Sequence, residues 1–202
     1  MKFAFAFLLS ALSVSAVDLR VTVYGASKLI PELDDDLRRI FRQSGIQLHL
    51  VRGDESSDEF HLIMYPAIPS KDQVVQARCR ARRDVALEIR DSAPQGIRPS
   101  VLGVAEPLAR AGLNVRVFSD RIRQAAFREN RPYAGVLAHV IAHEIGHVFL
   151  RTGEHTSWGL MSGSWRDQEY RLMPTGSLLF TPKQAEMMAA ALVGKGCPDG
   201  PR

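Results

Sequence analysis

Apolar residues recur along the chain with two periods. Leu19, Val21 and Val23 alternate with polar neighbours, the period-two pattern of a half-buried strand, and Gly25 ends the run. Leu33, Leu37, Ile40 and Phe41 fall on one face of a helix over residues 31–44, with Pro31 near its start and Gly45 at its stop. Alternation returns over 46–51, and residues 60–65 are a further strand candidate. This β-α-β opening predicts an α/β sandwich with a partly parallel sheet. Val85, Leu87 and Ile89 alternate again. Residues 101–105 and 113–118 read as two more strands joined through Pro107 and Gly112, while Pro94, Gly96 and Pro99 make 91–100 a loop.

The second half turns helical. Ser119 is placed to cap a short helix reaching Arg128, and Arg131-Pro132 interrupts it. Residues 133–152 carry the strongest helical pattern, with Gly153 positioned to terminate it. Leu137, Ile141, Ile145, Val148 and Phe149, with Ala138 and Ala142, make this helix apolar nearly all round, so it should be buried. Residues 156–164 read as a turn and 165–172 as a short helix. Thr181 and Pro182 open a last helix to about Leu192.

The first residues belong to a different kind of segment. Lys2, an apolar stretch over 3–14 and the small residues Val14-Ser15-Ala16 have the order of a secretory signal, predicting a secreted or periplasmic protein. Residues 1–16 are thus assigned to the signal and 17–202 to a single domain. No uninterrupted apolar run reaches the ~18 residues of a membrane span, so no integral span is expected. The net charge of +4 is too small to argue for nucleic acid. The arginine cluster over 78–83 reads as a solvated loop. Two cysteines exclude a four-cysteine zinc cluster, and export leaves open whether Cys79 and Cys197 form a disulfide.

The buried helix carries the chemistry. His143-Glu144-Ile145-Gly146-His147 is an HExxH pattern. Two histidines four residues apart stand on one helical face a turn apart, at a spacing that lets both reach one zinc ion. Glu144 projects to the side, able to hold a zinc-bound water without being a ligand. A third ligand is needed. His155 follows eight residues after His147, beyond the break at Gly153, and Glu169, Asp167 and Glu154 are its rivals. His139 lies on the same face, but ~12 Å along the axis from His147, too far to share an ion. His49 and His61 fall in strand-like segments with nothing to tie them to a metal.

At these residues the chain resembles the metzincin zinc peptidases, whose motif is HExxHxxGxxH followed by a methionine turn. Here the run is HEIGHVFLRTGEHTSWGLM. Leu150 takes the family's glycine position and Gly153 its third histidine position, so Gly153 and His155 come two residues late. With Leu150 there, the helix is expected to run one turn further before reversing. The resemblance assigns His143, His147 and His155 as zinc ligands, Glu144 as the catalytic residue and Met161 as the methionine of the turn beneath the metal. The stretch VLGVAEPLARAGLNVRVFSD is similar to the edge strand, loop and strand before the zinc helix of matrixin-like enzymes. That likeness implies substrate binding along Val101, Leu102, Gly103, Val104, Ala105 and Glu106 by strand addition. The segment from VLAHVIAHEIGHVFL through GLMSGSW to LLFTPKQAEMM is similar to exported bacterial metzincin-like proteins with a late third histidine.

The fold implied is α/β (α+β): a twisted mixed sheet with an antiparallel edge strand, packed on a long zinc-binding helix, with a small C-terminal helical subdomain. The function expected is that of an exported zinc endopeptidase, acting on a peptide or protein by Glu-assisted attack of a zinc-bound water. Two other readings stand beside it: an exported zinc-binding protein without turnover, and a zinc hydrolase of a non-peptide amide. Nothing in the sequence fixes the side-chain specificity or the oligomeric state.

Overall fold

The computed structural model describes residues 16–25, 30–54, 84–106 and 113–193. Residues 1–15 of the expected signal, the strand candidate over 60–65, His61, the arginine cluster over 78–83, both cysteines and the Pro107–Gly112 connection lie outside them. Five strands and five helices follow in the order β1 (Val17–Gly25), α1 (Ile30–Arg42), β2 (Ile46–Arg52), β3 (Asp84–Arg90), β4 (Gly103–Glu106), β5 (Leu113–Phe118), α2 (Ser119–Arg128), α3 (Tyr133–Leu150), α4 (Asp167–Leu172) and α5 (Pro182–Val193).

The strands form one mixed sheet in the order β2-β1-β3-β5-β4. The β1–β2, β1–β3 and β3–β5 pairs are parallel, and β4 alone runs antiparallel, on β5 at the sheet edge. Parallel neighbours need crossovers, which α1 supplies between β1 and β2. Leu19, Val21 and Val23 of β1, Ile46 and Leu48 of β2 and Leu87 of β3 are buried with Leu33, Leu37, Ile40 and Phe41 of α1 in one core. Five consecutive residues of β3, 85–89, are buried, as expected for a central strand covered on both faces. Glu88 is among them and pairs with Arg116 of β5 at 3.2 Å.

Helix α3 runs through the middle of the protein and packs on α1, α2, α5, β4 and β5. All residues from 136 to 149 are buried. Its mean hydropathy of 1.2 over 18 residues makes it the one described helix long and apolar enough to cross a membrane, and 78 % of it lies inside the protein.

Three local expectations are corrected. The residue preceding α2 is Phe118, in extended conformation, and Ser119 is the first residue of the helix. The Ser119 hydroxyl instead accepts a hydrogen bond from Arg123 at 3.3 Å. Helix α3 ends at Leu150, and the left-handed residue that turns the chain is Arg151, with φ 52°, not Gly153. The extra helical turn expected from Leu150 is therefore absent, because the chain must reverse early enough to bring the Thr152 carbonyl back to His147. The edge strand begins at Gly103 rather than at Val101, although the Phe118 amide still donates to the Leu102 carbonyl at 2.9 Å.

Candidate metal centre

The turn after α3 folds the chain back on the helix. Just past Arg151, the Thr152 carbonyl accepts a hydrogen bond from His147 Nδ1 at 2.7 Å. The Leu160 carbonyl accepts one from His143 Nδ1 at 2.8 Å. A carbonyl only accepts, so each Nδ1 carries the proton, and each Nε2 of the neutral ring presents a lone pair. Those atoms face one another: Nε2 of His147 is 3.0 Å from that of His143 and 3.2 Å from that of His155. The three ligand atoms lie within 4.8 Å of one another.

This donor set fits zinc. Three nitrogens bound tetrahedrally at ~2.0–2.1 Å would stand about 3.3 Å apart. The lone pairs of His143 and His147, 3.0 Å apart, repel unless a cation or a proton lies between them. Burial lowers the pKa of His143 to about 4 and also lowers that of His147, so protons are poor occupants near neutral pH. The backbone carbonyls behind His143 and His147 fix tautomer and ring orientation, the usual outer support of a metal-binding imidazole.

The rivals of His155 are engaged elsewhere. Glu169 is buried, and its two oxygens accept from the amides of Gly159, at 3.4 Å, and Arg166, at 3.0 Å. It thereby ties the turn to α4. Asp167 pairs with Arg171. Glu154 is exposed and outside the three-histidine group. His139 is fully buried, and its Nδ1 donates to the Gly135 carbonyl at 2.7 Å. His49 pairs with Asp18 at 2.9 Å on the far edge of the sheet.

Met161 is buried in the turn, against Gly146 of α3. A Cβ on Gly146 would lie 2.5 Å from the Met161 sulfur and 2.8 Å from the Phe180 ring, so only glycine allows this approach. The turn is held by the Thr156 amide on the Met161 carbonyl, at 2.9 Å.

Glu144 is buried with no charge partner among the described residues, and burial raises its pKa to about 8. It borders a cleft of about 710 Å³ that also contains the three histidines and Val101, Leu102, Gly103, Val104 and Ala105. Glu106 ends β4. Sequence reasoning did not assign Trp165 a role. Its ring stands edge-on to His143, with centroids 5.8 Å apart, and its Nε1 donates to the same Leu160 carbonyl at 3.2 Å. A tryptophan placed after the turn was the only available sign of this.

No protein-family model matches the sequence, and no curated protein matches it. Two solved archaeal structures share the fold. Archaemetzincin from Methanopyrus kandleri aligns with a TM-score of 0.51 at 16 % identity, over 91 % of this chain and 99 % of that one. A zinc-dependent peptidase from Methanocorpusculum labreanum (strain Z) aligns with a TM-score of 0.52 at 14 % identity, over 85 % of this chain and 98 % of that one. The chain therefore has the mixed α/β fold of these proteins.

Proposed function

We propose that the chain is a metzincin-like zinc endopeptidase, exported by its N-terminal segment. The observation that carries the reading is the convergence of three imidazole Nε2 atoms beside Glu144, in a cleft bordered by a strand edge that no other described strand covers. Both structural neighbours, an archaemetzincin and a zinc-dependent peptidase, are consistent with it. Export rests on Lys2, the apolar stretch over 3–14 and Val14-Ser15-Ala16.

His143, His147 and His155 would hold the ion. Zinc bound there supplies a Lewis acid that polarises a carbonyl oxygen and makes water acidic enough to attack at neutral pH. An extended substrate pairs with the outer edge of β4, whose backbone groups orient the scissile bond over Glu144. Glu144 takes a proton from the attacking water and delivers it to the leaving nitrogen. Its apolar surroundings raise its proton affinity toward that of the groups it serves, and a cation at the histidines favours the carboxylate form needed for the first step. Leu160 and Thr152 keep His143 and His147 in the ligating tautomer.

The open cleft over Glu144 favours turnover over a zinc-binding module without activity. The test is cleavage of mixed peptides by the mature chain. Cleavage abolished by a chelator and restored by zinc is expected. Zinc binding without cleavage of any peptide would support the inactive module instead.

A further inference from the structure

The wall of the cleft formed by α2 is basic. Arg121, Gln124, Ala125 and Arg128 follow one another at i, i+3, i+4 and i+7, so they form one stripe of α2, and all four border the cleft. Arg98, in the loop before β4, borders it as well. Arg121 is committed to structure: its guanidinium donates to the carbonyls of Ile97, Arg98 and Val101, at 3.1, 2.7 and 2.8 Å. Arg98 and Arg128 are exposed, and neither has a carboxylate at ion-pair distance among the described residues. Glu129, next to Arg128, is the one acidic group on the lining besides Glu144. Gly163, Ser164 and Trp165, also on the lining, are uncharged.

The sheet gives this wall a direction. The Phe118 amide donates to the Leu102 carbonyl where β5 passes into α2, so α2 begins beside the start of β4. A peptide adding antiparallel to the edge of β4 that no other described strand covers runs with its C-terminal residues toward that start. Gly103 stands over Glu144, so the residues beyond the leaving nitrogen run toward Arg98, in the loop before β4, and toward the start of α2, whose stripe carries Arg128 along the same cleft.

We propose that Arg98 and Arg128 select substrates that carry a carboxylate on the leaving-group side of the cleaved bond, either an acidic side chain or a free C-terminus. Guanidinium groups with no competing partner are suited to such a group, and charge-assisted hydrogen bonds are the stronger kind. The inference rests on the peptidase reading and narrows it to a substrate class.

The test uses zinc-loaded chain and paired peptides that differ only by Glu or Gln at each position beyond the cleaved bond, each made as free acid and as amide. A second readout is binding of the same labelled peptides to the Glu144→Ala chain by fluorescence anisotropy. The expected result is kcat/KM about tenfold higher for the Glu or free-acid member, with the same order in binding. The ratio should fall toward one in Arg98→Gln and Arg128→Gln and at high salt. A side-chain preference that persists in the amides assigns the carboxylate to an acidic residue; a preference that vanishes with amidation assigns it to the C-terminus. Cleavage at equal rates for both members, or a ratio unchanged in both arginine variants, overturns the inference and leaves the peptidase reading standing. Discriminating binding without cleavage sinks the peptidase reading and with it the leaving-group assignment, leaving carboxylate binding at Arg98 and Arg128 alone. Neither binding preference nor cleavage sinks both.

Discussion

Gly103 of the edge strand stands directly over the side chain of Glu144. A Cβ at Gly103 would lie 2.9 Å from Glu144 Cγ and 3.0 Å from its Oε1, with the Arg116 carbonyl 3.0 Å away on the other side. A side chain added there has to displace either the carboxylate or the strand. Gly103→Ala is expected to destabilise the chain by about 1–3 kcal/mol. It should lower peptide cleavage about tenfold or more, since a misplaced base loses orientation. Zinc content should stay at the wild-type level, because no histidine is touched. Metal analysis alongside kinetics checks this, and full activity in the variant would show that Glu144 is not held against β4 in the working enzyme.

The third ligand can be assigned by comparing two variants. His155→Ala should lower zinc affinity by more than about a hundredfold, exceeding the loss typical of outer-shell changes. Glu169→Gln should leave zinc affinity nearly unchanged. It weakens the link from the turn to α4 and should lower the melting free energy by about 1 kcal/mol. Competition with a chromophoric chelator measures both. The reverse order of affinities would move the metal from His155 to Glu169.

Trp165 shares the Leu160 carbonyl with His143. Trp165→Phe keeps an aromatic edge on His143 and removes the second donor, so zinc affinity should change by less than about threefold. Trp165→Ala removes the packing that holds the ring and should weaken zinc binding about tenfold. Equal affinities in both variants would mean that the tryptophan does not position His143.

In the zinc-free chain, stability should depend on pH with opposite signs at two neighbouring residues. Burial raises Glu144 from 4.5 to about 8, so its contribution is fully present below 4.5 and is lost as pH rises through 8. Burial lowers His143 from 6.5 to about 4, so its contribution is fully present above 6.5 and is lost as pH falls toward 4. Between pH 6.5 and 8, the Glu144 effect alone should cost about 1–2 kcal/mol. Denaturant melts at the two pH values test it. The same loss in Glu144→Gln would place its origin elsewhere.

Much of this organisation was legible in the chain because it depends on local periodicity. The alternation at Leu19, Val21 and Val23, the apolar face of α1 and the burial of residues 136–149 of α3 all follow from spacing. The His143–His147 pair is equally local, since the helix alone fixes its geometry. Features that depend on distant backbone were not legible. Arg151, rather than a glycine, takes the left-handed turn because Thr152 has to return to His147, and no local propensity encodes that. Gly103 read as a strand residue along which substrate would bind, and its contact with Glu144, 41 residues on, had no local sign. Ser119 looked like a cap, but β5 runs straight into α2 at Phe118, which leaves the cap position to an extended residue.

The most direct test of the central claim is the behaviour of Glu144→Ala in purified mature chain. Zinc content by mass spectrometry and cleavage of a mixed peptide set are measured on the same sample. One zinc per chain in both proteins is predicted, with chelator-sensitive cleavage in the wild type and none in the variant. Cleavage retained by Glu144→Ala, or a wild-type chain that binds no zinc, would contradict the account.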